Sequence, residues 1–500
     1  MELVINDAGR ISHAAAHEGD SVLDVLQRER IDVQATCGGV GKCGRCQVLV
    51  RDGEGLGYRL ACTTRVTDGM EAIVERAGEM NVVQSGTARA FPPDSGSTGF
   101  GMAVDIGTTT VVAHLHDLRS GERVATVGRP NPQIAFGSDV ISRISASVDG
   151  KLAFMRDAIQ DALREMRAKL CAIAGVSQVD VAFTTIAGNT VMQHIAAGLA
   201  PDTIGVNPFT PLSLFGDVRE IEGLGPCRFT RCIAGYVGGD ITAGMLACGI
   251  DAGGTRLFLD LGTNGEMALA AGGRIVCCAT AAGPVFEGAN ILFGMPASAG
   301  AISQVSYEEG SVDVQVVGGV DPIGICGTGL IDAVALMVRI GAVDETGYLL
   351  GPDEAEGALA ALLGVEGDRH VFYLTPDRSI YITQDDVRNL QLAKAAVCAG
   401  IMTMADAAGI ALDSVESLEI AGGFGAYLNL ESAAAIGLFP AGLLDRASSV
   451  GNTSGEGACA LLVSSAARSR EADIVGKCDY LELSTSAEFN DFYIEMMEFA

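Results

Sequence analysis

Short runs of apolar residues at 2–6 and 11–15 predict a strand pair joined at Asp7-Ala-Gly9. Ser21–Arg30 then places Val22, Leu23, Val25 and Leu26 on one face of a helix, with Asp20 or Ser21 as its N-cap. Gln47–Val50 reads as a strand. Residues 84–101, QSGTARAFPPDSGSTGFG, have no apolar period and are rich in Gly, Ser and Pro, the composition of a linker. Such a linker is either a flexible tether or a strap laid over the following domain, and the pattern alone leaves both open. Beyond it, three apolar strands each end in a glycine-rich turn. The first runs Ala103-Val-Asp105-Ile-Gly107-Thr108-Thr109-Thr110-Val-Val-Ala113, and the second Leu257-Phe-Leu-Asp260-Leu-Gly262-Thr263-Asn264-Gly265-Glu266-Met-Ala-Leu269. The third is Glu419-Ile-Ala-Gly422-Gly423-Phe424-Gly425-Ala-Tyr427.

Chemistry enters first through cysteine. Cys37-Gly-Gly-Val-Gly-Lys-Cys43-Gly-Arg-Cys46 is followed after 15 residues by Cys62. Plant-type 2Fe–2S ferredoxins space their ligands C-x4-C-x2-C plus a distant Cys. Here the first gap is one residue longer, as in adrenodoxin-like loops. Cluster sulfides accept backbone N–H bonds, so the loop must approach closely, which Gly38, Gly39, Gly41 and Gly44 permit. A zinc site would usually show two C-x2-C pairs, and this stretch has one. With the flanking strands and helix, the order is that of a β-grasp ferredoxin.

The two Asp-x-Gly-Thr turns share one design some 155 residues apart. Such a hairpin aims backbone N–H groups and hydroxyls at phosphate oxygens. An Asp at the strand end suits Mg²⁺, which keeps several of its waters. Each turn alone is a weak signal. The ordered trio is the pattern of the sugar kinase/chaperone/actin superfamily of ATPases. Gly107, Thr108, Thr109, Thr110, Gly262, Thr263, Asn264 and Gly265 are then the phosphate-facing residues, and Gly422, Gly423, Phe424 and Gly425 lie against the nucleoside. Tyr236-Val-Gly-Gly239-Asp240 and Gly455-Glu-Gly-Ala resemble that superfamily's two connecting helices, although small residues also serve ordinary close helix packing.

Composition narrows the surroundings. The chain has 500 residues, 48% of them apolar, enough for several cores. A net charge of −29 argues against a nucleic-acid partner, which needs clustered Lys and Arg. No run of 18 apolar residues predicts a membrane span, and the start lacks the pattern of a signal peptide, so a cytoplasmic location is the expectation. There are 14 Cys, and reduced thiols are the cytosolic norm, so the ten outside the cluster motif are expected mainly as buried packing residues. His114 and His116 are expected at core or surface positions rather than on a metal.

A ferredoxin ahead of this ATPase resembles the reductive activators of corrinoid proteins, ATP-dependent enzymes that restore cobalt(I) in corrinoid methyltransferase systems. The resemblance runs over nearly the whole chain. It includes Ile186-Ala-Gly188-Asn189-Thr-Val-Met192-Gln-His194, Gly205-Val-Asn207-Pro208-Phe209, Ala282-Gly283-Pro284-Val-Phe286-Glu287-Gly288-Ala289 and Ile325-Cys-Gly327-Thr-Gly329-Leu-Ile-Asp332. Some relatives carry an extra small domain where this chain has only its linker.

The resemblance implies a multidomain α+β and α/β chain: a β-grasp 2Fe–2S ferredoxin over 1–80, a flexible linker over 81–99, and a two-lobed actin-like ATPase. Lobe I would span 100–250, and lobe II 251–500 with the adenosine motif and a C-terminal return helix. The cofactors implied are a 2Fe–2S cluster on Cys37, Cys43, Cys46 and Cys62, ATP, and Mg²⁺ held through water by Asp105. Asp260 or Glu266 would orient the attacking water. The partners implied are a corrinoid protein of a methyltransferase system and an unidentified low-potential electron donor, and a homodimer is suggested. Plant-type clusters sit near about −400 mV. The acceptor is expected lower, and each ~100 mV uphill costs about 2.3 kcal/mol per electron, which ATP-driven domain closure would supply. Two alternatives stand beside this. One is an activator of another low-potential enzyme, of the 2-hydroxyacyl-CoA dehydratase kind, whose activators hold a 4Fe–4S cluster between two short subunits. The other is a small-molecule kinase or ATP-switched sensor under redox control.

Overall fold

The computed structural model describes every residue except 8, 9, 30, 32, 34, 36–38, 40, 42–45, 54, 75–85, 87, 309 and 500, and the side chains of 10, 56 and 426. By its internal contacts the chain forms two units. The first comprises Met1–Gly78, Phe91–Asp240 and Ala458–Ser465, and the second Glu79–Ala90, Ile241–Gly457 and Ala466–Ala500.

The first unit begins with β1 (Glu2–Asp7), β2 (Arg10–Ala15), α1 (Val22–Arg28), β3 (Gln47–Asp52), β4 (Gly55–Leu60) and β5 (Met70–Val74). Their sheet runs β2-β1-β5-β3-β4, the mixed order of a β-grasp. β1 pairs antiparallel with β2 from Glu2↔Ala15 to Asp7↔Arg10, and parallel with β5. Ser21, not Asp20, caps α1: its Oγ accepts from Asp24 N at 3.1 Å, while Ser21 N donates to Asp24 Oδ2 at 3.0 Å. This reciprocal box satisfies two of the helix's orphan donors. Val22, Leu23, Val25 and Leu26 are buried with Leu3, Ile5, Val48 and Ala72, as the helical spacing predicts.

β6 (Phe100–Ile106), β7 (Thr110–Asp117) and β8 (Arg123–Pro130) form an antiparallel meander. The short helix α2 (Val140–Ala146) and the long α3 (Leu152–Ala174) follow. β9 (Val181–Gly188) returns parallel to β6, with α4 (Thr190–Ala197) behind it. β10 (Val218–Ile221) and β11 (Gly225–Phe229) extend the sheet to β10-β11-β9-β6-β7-β8. The ferredoxin fold touches this part through α1. Gln27 Nε2 donates to the Ala135 carbonyl, Lys151 Nζ donates to Gln27 Oε1 at 3.3 Å, and Lys151 stands 3.9 Å from Asp24.

The second unit repeats the design. After α5 (Gly239–Cys248), β12 (Arg256–Leu261), β13 (Gly265–Ala271) and β14 (Arg274–Thr280) form a second antiparallel meander. β15 (Ala301–Glu308), β16 (Ser311–Val316) and β17 (Gly324–Ile325) make a small sheet before α6 (Gly327–Arg339). α7 (Gly357–Leu362), β18 (Leu363–Glu366), β19 (Arg369–Tyr373) and β20 (Tyr381–Thr383) lead into α8 (Gln384–Ala408). β21 (Ser417–Ala421) then lies parallel to β12, and after α9 (Leu430–Ala435), β22 (Ala447–Gly451) lies parallel to β21. α10 (Thr453–Val463), α11 (Ser465–Val475), β23 (Cys478–Tyr480) and α12 (Ala487–Glu495) complete the chain. The central sheet runs β22-β21-β12-β13-β14-β23. Gly457 of α10 has no room for a side chain, because a Cβ there would stand 2.1 Å from the Ala243 carbonyl oxygen of α5. The residues after α12 are held by buried Lys394, which donates to the Met496 and Glu498 carbonyls.

The linker is a strap wherever it is described. In the second unit Gly86 bridges to Gly451 and donates to Glu456 Oε1 at 3.1 Å, and Arg89 N donates to Ala247 O at 2.8 Å. In the first unit Asp94 N donates to Val463 O at 2.9 Å, and Asp94 Oδ1 accepts from Ser465 N at 2.8 Å. Gly/Ser/Pro composition leaves the backbone polar groups uncommitted, and here neighbouring helix ends and strands take them. These contacts give the ordered alternative over a freely flexible tether for those residues. Among the described residues no helix is long and apolar enough to cross a membrane.

Candidate functional site

The cysteine loop lies mostly outside the described residues, Cys37 and Cys43 included. Cys46 leads into β3 and Cys62 follows β4, and because β3 and β4 pair from Gln47↔Leu60, the two cysteines meet with sulfurs 3.3 Å apart. Gly39 has φ +90, and a Cβ there would stand 3.0 Å from Leu23 Cδ2 and 3.8 Å from Cys62 Cβ. The positive φ is what calls for glycine at that position. Adjacent Cys46 and Cys62 thiols, with Gly39 beside them, fit part of an iron–sulfur site.

The first glycine-rich turn is the β6–β7 hairpin. Asp105 sits opposite Val112 on β7 and beside Ala187 on β9, one residue from the end of β6. Gly107 makes the tight turn, since a Cβ would lie 2.8 Å from the Thr110 carbonyl oxygen. The hairpin's carbonyls are held from behind. Asn131 Nδ2 donates to Gly107 O at 2.8 Å, Arg143 Nη2 to Thr108 O at 2.6 Å, and Asn131 N to Thr109 O at 2.8 Å. Asn189, the N-cap of α4, donates through Nδ2 to the Thr108 hydroxyl at 3.1 Å.

The second turn joins β12 and β13, where Asp260 and Glu266 are directly opposite each other. Gly262 N donates to Asn264 O at 3.1 Å, closing the turn, and the Thr263 hydroxyl donates to Glu287 Oε1 at 2.7 Å. The third turn is contiguous with it, because β21 pairs with β12 up to Asp260↔Ala421. Gly422 has φ +100, and a Cβ there would stand 2.5 Å from the Leu261 carbonyl oxygen and 2.9 Å from Asp260 Oδ1. Phe424 stacks on Phe286 at 5.3 Å, and a Cβ on Gly327 would stand 2.9 Å from the Phe424 ring. Asp260, Thr263, Glu266, Glu287 and Gly422–Gly425 are thus gathered at one end of the second unit's sheet.

Three polar residues behind the first hairpin, Asn131, Arg143 and Asn189, were not singled out for a role by sequence. Asn-Pro-Gln after a strand does read as a turn start, because Asn caps and Pro favours the first helical position. Nothing in the sequence aims that Asn at residue 107. Of the ten remaining cysteines, Cys171, Cys227, Cys232, Cys277, Cys278, Cys326, Cys398 and Cys459 are buried, as packing residues should be. Burial pushes the Cys227, Cys248 and Cys398 thiols up to about 12, which keeps them protonated and unreactive. Cys326 heads α6 and donates to Ile302 O at 3.4 Å.

The chain is similar to known proteins throughout its length. The 2Fe-2S iron-sulfur cluster binding domain matches residues 5–67, the RACo middle region 100–253, and the C-terminal domain of RACo, the ASKHA domain, 254–500. The corrinoid activation enzyme RamQ of Eubacterium limosum is 29% identical over 570 aligned residues, covering 95% of both chains. The Co(II) methylated amine-specific corrinoid protein reductase of Methanosarcina barkeri is 27% identical, over 79% of this chain and 76% of that protein. A solved reductive activator for corrinoid,iron-sulfur protein superposes with a TM-score of 0.71 at 30% identity, covering 100% of this chain and 98% of that one.

Proposed function

This chain belongs to the family of ATP-dependent reductive activators of corrinoid proteins, and we propose that it passes one electron to the Co(II) of a partner's corrinoid, yielding Co(I), with ATP hydrolysis driving the transfer. The observation that carries this reading is the presence, in one chain alike from end to end to a solved activator, of a ferredoxin fold with paired Cys46 and Cys62 and a duplicated Asp-x-Gly-Thr hairpin fold. The 2Fe–2S cluster supplies one-electron chemistry when bound, and Cys37, Cys43, Cys46 and Cys62 are the residues that would hold it.

The remaining roles belong to the chain's own groups. Gly107, Thr108, Thr109 and Thr110 offer amides and hydroxyls to phosphate oxygens, and Thr263, Asn264 and Gly265 offer backbone amides from the second hairpin, whose turn Gly262 closes through its own N–H. Asp105 takes Mg²⁺ through water, where a hard cation prefers carboxylate and water oxygens. The facing pair Asp260 and Glu266 supplies the carboxylate that orients the attacking water. Glu287, bonded to Thr263, holds that hydroxyl in place. Gly422, Gly423, Phe424 and Gly425 accept the adenosine, with Phe424 fixed by its stack on Phe286. The partner is a corrinoid protein of a methyltransferase system, and a low-potential donor supplies the electron.

The direct test mixes reduced protein, a Co(II) corrinoid protein and ATP under anaerobic conditions and follows the Co(II) paramagnetic signal. ATP-dependent loss of that signal is expected. A signal that persists with ATP, or disappears equally without it, overturns the proposal.

A further inference from the structure

We propose that Asn131 and Arg143 are positioning residues of the ATPase, turning the first hairpin's peptide planes so that its N–H groups face the triphosphate, a role that rests on reading Gly107–Thr110 as the phosphate hairpin. A trans peptide is planar, so its C=O and the following N–H point in opposite directions. Holding the carbonyls of Gly107, Thr108 and Thr109 toward the core therefore directs the amides of Thr108, Thr109 and Thr110 away from it. Asn131 holds the first carbonyl with its side chain and the third with its backbone N–H, and Arg143 holds the one between.

Both holders are locked in turn. Asn131 is fully buried, and its Oδ1 accepts from Gln133 N at 2.9 Å, capping the turn Pro132–Ala135. Flipping that amide would lose the bonds to Gly107 O and from Gln133 N. Arg143 on α2 is also fully buried. Its Nε donates to Gly137 O at 3.0 Å, and its Nη1 reaches Met192 Sδ at 2.8 Å and Gln133 Oε1 at 3.4 Å. A planar guanidinium bonded along several directions is held in the plane that brings Nη2 to the Thr108 carbonyl. Its positive charge one peptide behind the hairpin also raises the local potential seen by an anion. Asn189 completes the set: its Oδ1 caps α4 at Met192 N, 2.9 Å away, so its Nδ2 is directed to the Thr108 hydroxyl. That hydroxyl accepts from Asn189 and keeps its own proton for another acceptor.

A merely structural Arg143 would support the fold without favouring any part of the nucleotide. A positioning Arg143 acts on the phosphates alone. The experiment therefore compares the affinities of ATP and of adenosine in the full-length, cluster-loaded protein carrying Asn131→Ala, Arg143→Gln or Arg143→Lys. Arg156→Ala, which removes an Arg ion-paired with Asp157 on the surface of α3, is the control. ATP affinity is expected to fall roughly tenfold or more in Asn131→Ala and Arg143→Gln, the scale of a lost charged or buried hydrogen bond. Adenosine affinity should stay unchanged. Arg143→Lys keeps the charge but not the fork, and should fall between. Equal losses for ATP and adenosine, or no loss for either, overturn the proposal. If Arg143→Gln fails to fold, Asn131→Ala and Arg143→Lys decide the matter by the same ratio. Asp105→Ala separates the two levels: retained ATP turnover there would remove the hairpin reading itself. Lost turnover there, with an intact ATP-to-adenosine ratio in the other variants, would remove only the positioning role.

Discussion

At the scale of single residues, burial decides what each titratable or nucleophilic group can do. Cys62 is chemically the same as Cys278, yet Cys62 lies 3.3 Å from a second sulfur, while Cys278 is enclosed in apolar core. Cys62→Ser should lose the visible absorption of the cluster and the Co(II) reduction, and should keep ATP hydrolysis. Absorption, phosphate release and the Co(II) signal measured on one sample check all three. His114 shows burial acting on charge. Its Nδ1 sits 2.9 Å from Thr126 Oγ1 inside the first sheet, and burial pushes its pKa down to about 3 from 6.5, with Arg123 and His116 adding to the effect. Between those values the unfolded chain binds a proton that the folded chain refuses, so stability falls as pH drops from about 6.5 toward 3. Denaturant unfolding of His114→Phe across that range should show a shallower loss than the wild type. The sequence placed His114 on a strand, in the core or at the surface rather than on a metal, and β7, buried on both faces from Val111 to His116, put it in the core. Asn131 and Arg143 were illegible, because a polar residue's burial depends on partners distant in the chain.

At the scale of elements, the hairpins were legible because their signal is local. An apolar strand ending in Asp, then Gly and Thr, specifies a tight polar turn wherever it occurs. The predicted α1 face and the strands beside it hold for the same reason: periodicity encodes which side is buried. Contiguity of the second and third turns was not local, since it arises from the parallel pairing of β12 with β21 some 160 residues on. That pairing makes Gly422 sensitive. Its φ of +100 and its 2.5 Å approach to the Leu261 carbonyl would both be violated by a methyl group. Gly422→Ala should lower stability by about 1–3 kcal/mol, the usual cost of a strained backbone position, and should weaken ATP binding by displacing Asp260. Thermal unfolding with and without ATP measures both effects, and an unchanged response to ATP would remove Gly422 from the nucleotide turn.

At the scale of the whole molecule, the same meander with a parallel return strand occurs twice, behind a β-grasp domain and a strap. The strap carries its own prediction. Arg89 lies in a stretch whose composition suggests easy cleavage, yet its N–H is bonded to Ala247 O. Trypsin should therefore cut after Arg89 slowly in the folded protein and rapidly after mild denaturant, as peptide mapping over time would show. Prompt cleavage under native conditions would restore the flexible tether. The ferredoxin helix touches the segment 132–151 through Gln27 and Lys151, and the same stretch carries Arg143. The sequence by itself determined the domain kinds and the three glycine turns, because each is written in neighbouring residues whose types and spacing are dictated by local geometry. Only the tertiary structure decided which buried polar groups hold those turns, how the linker's backbone is satisfied, and which carboxylates face one another. Those depend on strand register and on contacts between separated parts of the chain, from 24 residues for Asn131 and Gly107 to 371 for Asp94 and Ser465, where no single residue type carries the information.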